Sequence, residues 1–273
     1  MEQPPNVVAS SQSLAKSARI ETLKMIHKAK ASHVGSCLSI LDVLCVLYSG
    51  AARINPSNTT NDNRDVVIVS KGHASAALYS VLSLREFFPL EWLSRYCENG
   101  AELSGHVTHK YVPGVELSTG SLGHGLPYGL GVQLSKKLYK CDGRTIVLMS
   151  DGECDEGTTW ESALLASHHR LDKLIVVIDR NRIQSMGDTE ETLALEPLSE
   201  KWEAFGWHTL VVDGHNHNEI LEALSVHKEG KPVCIIANTT KGKGVSFMEG
   251  KVLWHYRPPD DDELTAALCE LNS

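Results

Sequence analysis

The sequence lacks an excess of positive charge: 26 lysines and arginines stand against 34 aspartates and glutamates, a net charge of −8. Nucleic acid and anionic membranes need a basic face, so neither is an expected partner, whereas small anions stay open as ligands. No leader is expected either. The opening "MEQPPNVVASSQS" has no basic segment followed by an apolar region, and no run approaches the roughly 18 apolar residues of a spanning helix. A soluble, cytoplasmic protein is the expectation. There is no C-x-x-C pair among the seven cysteines, an odd number, and Cys45 and Cys234 stand in apolar runs. That pattern predicts reduced thiols, mostly in the core. No internal repeat, low-complexity tract or Pro/Gly/Ser linker divides the 273 residues. With 42% hydrophobic content they suffice for a substantial core, and one domain spanning 1–273 is expected.

What is present is a repeated grammar of strand, loop and helix. Ser13 to Ser32 carries Ala18, Thr22, Met25, Ile26 and Ala29 near helical spacing, and a second helix is read in "SILDVLCVLYSGAA". "RDVVIVSKGHASAALYSVLSL" reads as a short buried strand, a glycine turn and an apolar helix. The same order recurs in "GRTIVLMSDGECDEGTTWESALLASHHR", "DKLIVVIDRNRIQSMG", "WHTLVVDGHNHNEILEALSVHKE" and "KPVCIIANTTKGKG". Val- and Ile-rich runs without period-2 alternation imply an α/β fold whose parallel sheet is covered by helices on both faces. Ligands of such sheets lie outside the carboxyl ends of the strands, where these unusual loops fall. Glu86 to Leu126 is the one long irregular stretch, and it is expected to line a site.

Asp151 follows one strand, and Asn181 and Ile183 follow the next, with thirty positions separating Asp151 from Asn181. Adjacent parallel strands bring both loops together. A carboxylate, an amide oxygen and a free carbonyl there are hard ligands for Mg²⁺ or Ca²⁺. Equally, Asp151 can cap the following helix and Asn181 can make a turn. Five of thirteen histidines, His33, His73, His106, His124 and His255, fall on loops at the same edge. The five glycines between Gly120 and Gly131 and the "TTKGKG" turn read either as phosphate loops or as tight packing turns.

The stretch "SDGECDEGTTWESALLASHHRLDKLIVVIDRNRIQ" resembles the thiamine-diphosphate motif, in the form that transketolases carry. "ASHVGSCLSILDVLCVLY", "NRDVVIVSKGHASAALYSVL", "GHVTHKYVPGVELSTGSLGHGL", "KPVCIIANTTKGKGVSFME" and "WHYRPP" extend the resemblance over nearly all of Ser10 to Pro259. Two positions depart from the motif, Ser150 for glycine and Arg180 for asparagine, while Asp151 and Asn181 are intact.

The resemblance implies the diphosphate-binding (PP-type) domain and assigns Mg²⁺ or Ca²⁺ to Asp151, Asn181 and the carbonyl of Ile183. It places Gly152 near the diphosphate and Gly120 and Leu122 against the cofactor's rings. It matches Glu156 to a glutamate buried at a subunit interface, whereas Glu153 and Asp155 read as helix N-terminal charges. It implies that His33 and His106 meet donor hydroxyls, His73 the diphosphate, and His255 the diphosphate and a proton transfer. His124 stands where the family often has glutamine, and His168, His169, His215 and His217 are read as surface or structural.

Activating the cofactor in this family requires a glutamate from a second, pyrimidine-binding domain. The chain ends at Ser273, so that domain is expected on a companion chain in an α₂β₂ assembly, the two together moving a two-carbon ketol unit from a ketose to an aldose. The α subunit of a 2-oxo acid dehydrogenase and a non-catalytic cofactor-binding module are the alternatives. The histidine set and "TKGKGVSFME" favour transketolase.

Overall fold

A computed structural model describes residues 6–273; the first five residues of the stretch read above for a leader lie outside the described residues. The chain begins with α1 (Val7–Ala29), capped by the Asn6 side chain and stopped where Lys30 turns left-handed at φ 51°. The helix therefore starts before the expected Ser13 and ends before Ser32. Its predicted stripe of Ala18, Thr22, Met25 and Ile26 is buried, as periodicity requires. α2 (Val34–Val46) begins earlier than expected and runs on through a π-turn to Ala51.

Val34–Ala51 corrects one reading. Its mean hydropathy of 1.7 over 18 residues would let it cross a membrane by length and composition, yet 89% of it is buried inside the protein. It is hydrophobic all round because it is a core helix.

β1 (Val66–Val69) leads into α3 (Ser75–Leu84). The expected irregular stretch then holds a single short 3₁₀ turn, Leu90–Arg95, before α4 (Gly125–Leu138). β2 (Thr145–Ser150), α5 (Gly157–His168) and β3 (Leu174–Arg180) follow. After them come α6 (Thr189–Thr192), α7 (Leu198–Ala204), β4 (His208–Asp213), α8 (His217–Ser225), β5 (Val233–Asn238) and α9 (Asp261–Asn272).

The strands form one parallel sheet in the order β1-β2-β3-β5-β4. Successive side chains point to opposite faces. Val67, Val69, Ile146, Leu148, Ile175 and Val177 accordingly join a core beneath α1, α2, α3 and α8. Ile68, Val147, Met149, Val176, Ile178 and Ile236 join a second core with Leu126, Ala163 and Trp202 from the helices on the other side. Both faces are covered, which is why the strands read as continuous apolar runs. Four cysteines are buried as free thiols, Cys37, Cys45, Cys154 and Cys234; Cys97 and Cys269 are exposed and Cys141 lies between.

The parallel arrangement sends the carboxyl ends of β1, β2, β3 and β5 to one edge. Ser150 pairs in register with Asp179, so Asp151 and Asn181 leave neighbouring strands side by side.

Candidate active site

All eleven residues assigned above to catalysis, cofactor or metal line one cavity of about 300 Å³ at this edge: His33, His73, His106, Gly120, Leu122, Asp151, Gly152, Glu156, Asn181, Ile183 and His255. His124 does not; its ring is exposed and bonds back to the Leu122 carbonyl (2.9 Å). A larger cavity of about 720 Å³ between the Thr59–Arg64 loop and α4 holds none of them.

The oxygen cluster is built from the strand ends. Asp151 is buried, with Oδ1 accepting from the Gly152 amide (2.9 Å) and Oδ2 from the Arg182 amide (2.7 Å). Burial, then the Asp179 carboxylate, pushes its carboxyl above the usual range, so the site favours an added positive charge. The Asn181 Nδ2 donates to Asp179 (3.3 Å), which fixes the amide so that Oδ1 faces the loop and accepts from the Ile183 amide (3.1 Å). The Ile183 carbonyl accepts from the Lys241 ammonium (2.9 Å). One buried oxygen of the cavity wall, Asp155 Oδ1, has no partner among the described residues.

The histidines form a second cluster with His33 at its centre. Its ring lies 4.9 Å from His255, 5.4 Å from His73 and 5.6 Å from His106, between centroids. His33 sits at the start of α2 in a left-handed conformation, φ 75°, and its N–H donates to the His255 carbonyl (2.8 Å). Lys241 donates to His255 Nδ1 (3.0 Å), so in the neutral ring Nε2 carries the proton. Burial, then His106 and the nearby lysines, lowers the His33 pKa to about 4. Burial and Lys241 lower that of His255 to about 3, and burial with Lys71 holds His73 well below its ordinary value. These three rings are neutral at physiological pH, fit to accept a proton or donate a hydrogen bond.

Sequence reasoning missed several supporting groups. Glu153 was read as a helix N-terminal charge, but it is fully buried and ties three segments together. It accepts from Ser70 Oγ and the Gly123 amide (3.0 Å) through one oxygen and from the Ser150 amide (2.8 Å) through the other. Glu156, in contrast, is exposed on this chain, so the buried glutamate within the chain is Glu153. Gly123 must be glycine here: at φ 77° an added Cβ would meet Glu156 Cβ at 2.6 Å. Lys71 and Asp179 form a fully buried ion pair below the cavity, to which Ser39 adds a hydrogen bond of 2.5 Å. Lys241 is buried in the cavity wall, and its "TTKGKG" turn was the only signal. Arg180, the motif departure, is buried and joins Asp151 (3.4 Å) to Glu190 (2.7 Å) and Glu196 (2.9 Å).

Comparison with known proteins places this geometry. The family described as "Transketolase, thiamine diphosphate binding domain" matches residues 10–271. One of the two subunits of an apulose-4-phosphate transketolase from Phocaeicola vulgatus is 41% identical over 256 residues, 93% of this chain and 91% of that protein. A 6-deoxy-6-sulfo-D-fructose transketolase subunit of a Clostridium species is 41% identical over 252 residues, 92% of each chain. The crystal structure of the transketolase from Campylobacter jejuni superposes with a TM-score of 0.91 at 33% identity, covering 97% of this chain and 43% of that one. The present chain thus spans less than half of that longer transketolase.

Proposed function

The chain belongs to the transketolase family as a subunit of the thiamine-diphosphate-binding type, made for ketol transfer, and from that premise we propose that its 300 Å³ cavity holds the diphosphate end of the cofactor on a divalent cation. The residues present fit such a group. Asp151, Asn181 Oδ1 and the Ile183 carbonyl are hard oxygens on one wall, and the Lys241 ammonium already rests on the Ile183 oxygen, where positive charge is accepted. Mg²⁺ or Ca²⁺ suits this donor set, and the cation offsets the negative charge that an acidic loop would otherwise turn against a diphosphate.

In this reading Gly152, His73 and His255 face the diphosphate, and Gly120 and Leu122 face the rings of the cofactor. When bound, the cofactor supplies the chemistry that cleaves and re-forms a carbon–carbon bond beside a carbonyl. The chain's own part is to orient and to move protons. His33 and His106 hold donor hydroxyls, and His33, neutral at pH 7, can take a hydroxyl proton. His255 keeps its proton on Nε2 because Lys241 occupies Nδ1.

The relatives are named as subunits and for ketoses that carry a phosphate or a sulfonate. They support a companion chain bearing the pyrimidine-binding half and its activating glutamate, assembled as α₂β₂ in the cytoplasm, and an anionic ketose as donor. Glu156, exposed at the cavity mouth, is available to that companion.

The observation that carries the reading is that eleven residues scattered from His33 to His255 line a single cavity. Asp151→Ala tests it. Titration calorimetry of thiamine diphosphate with Mg²⁺ into the reconstituted pair should show the variant losing its Mg²⁺-dependent binding while circular dichroism keeps the wild-type signal. Unchanged affinity in that variant would remove the cation from this wall.

A further inference from the structure

A buried polar cluster lies behind the cavity, on the far side of the turn that carries Lys241. Asp42 on α2, only 4% exposed, is at its centre. Its Oδ2 accepts from Arg19 on α1 (2.6 Å) and from His215 Nδ1 (2.7 Å), and its Oδ1 faces His217 Nε2 (3.0 Å). Burial alone would raise the Asp42 carboxyl, but the hydrogen bonds from His215, His217 and Arg19 outweigh it and hold the group ionised.

His217 continues to Ser11 Oγ (2.6 Å), so Ser11, His217 and Asp42 have the connectivity of a hydrolytic triad. They are not one. Ser11 is fully buried, donates to the Val8 carbonyl (2.9 Å) and lines no cavity, so no substrate reaches it.

The other arm leads toward the cofactor cavity. His215 Nε2 accepts from the Thr240 amide (2.8 Å), so its proton is on Nδ1 and points at Asp42. Arg19, besides pairing with Asp42, donates through Nε to the Lys243 carbonyl (3.2 Å). The residues just before and just after Lys241 and Gly242 are thereby fixed to one carboxylate. Between them Lys241 projects into the cavity and reaches Ile183 and His255.

We propose that Asp42, acting through His215 and Arg19, is a positioning residue that holds the Thr240–Lys243 turn so that the Lys241 ammonium meets the cofactor's diphosphate end. The inference rests on the cavity being the cofactor site. Asp42 touches neither cofactor nor substrate; it sets the place of a residue that lines the site.

The test is a double-mutant cycle on the dissociation constant for Mg²⁺ and thiamine diphosphate, measured by titration calorimetry on the full chain with its companion. In Asp42→Asn the amide presents an N–H to His215, which drives the imidazole proton to Nε2 and sets it against the Thr240 N–H. His215→Phe removes the acceptor while leaving Asp42 its Arg19 and His217 partners, and so decides the matter even if Asp42→Asn fails to fold. Loss of one such hydrogen bond should weaken binding about fivefold to tenfold in a Lys241 background. In a Lys241→Met background the same changes should have an effect of less than about twofold, because coupled positions are not additive. Nitrogen NMR should report His215 as the Nδ1–H tautomer in the wild type and Nε2–H in Asp42→Asn. Equal losses in both backgrounds, or a lower thermal midpoint with no change in affinity, would overturn the proposal. Failure of the wild-type pair to bind the cofactor would instead count against the site itself.

Discussion

His33 occupies a left-handed backbone conformation that costs a non-glycine residue about 1–3 kcal/mol. Its burial and its cationic neighbours hold its pKa at about 4, and that of His255 is held at about 3, whereas both titrate at about 6.5 when unfolded. Between those values the unfolded chain binds protons that the folded chain refuses. Stability therefore falls as pH falls from about 6.5 toward the folded values. Urea midpoints should drop between pH 7 and pH 5, and a His33→Asn, His255→Asn double variant should show a flatter profile over that window. A profile unchanged by the double substitution would mean that the rings are not held neutral by the fold. At this scale the sequence was informative where a residue's duty follows from its place after a strand, as for Asp151 and Asn181. It was silent on Lys241, because a lysine in a glycine turn points into a cavity or into water according to packing that the turn itself does not encode.

The elements were legible because both faces of the sheet are covered, which leaves unbroken apolar runs at β1, β2, β3 and β5. Helix ends were less so: α1 extends back to Val7 because Asn6 caps it, and α2 starts at Val34 because the His33 turn permits it. The role of Glu153 escaped for a different reason. Its partners Ser70 and Gly123 are 83 and 30 positions away, so nothing local distinguishes it from a helix-terminal charge. It fastens the ends of β1 and β2 to the glycine loop before α4. Glu153→Ala would leave the Ser150 and Gly123 amides without acceptors, at about 1–3 kcal/mol for each. Glu153→Gln keeps one acceptor oxygen and should lose about half as much. Denaturant unfolding of the two variants checks the order; equal stability of Glu153→Ala and wild type would show that water replaces the carboxylate.

At the scale of the whole molecule, the described residues make one sheet with two helical layers and a single wall of a cofactor site. The cation oxygens, the diphosphate-facing groups and the donor-side histidines are all on it. Glu156 stands exposed at its mouth, which is the state expected of a residue awaiting a partner. The resemblance in sequence carried this far because the motif residues sit on loops whose spacing is set by the strand-helix repeat. It could not name the sugars, since their recognition is shared with groups outside this chain. The most direct measurement is ketol transfer from an anionic ketose to an aldose, with Mg²⁺ and thiamine diphosphate. It would be made on the purified chain alone and on its mixture with a pyrimidine-domain companion. The account predicts no turnover by the chain alone and activity that rises on mixing and saturates near one companion per chain; robust turnover by the chain alone would contradict it.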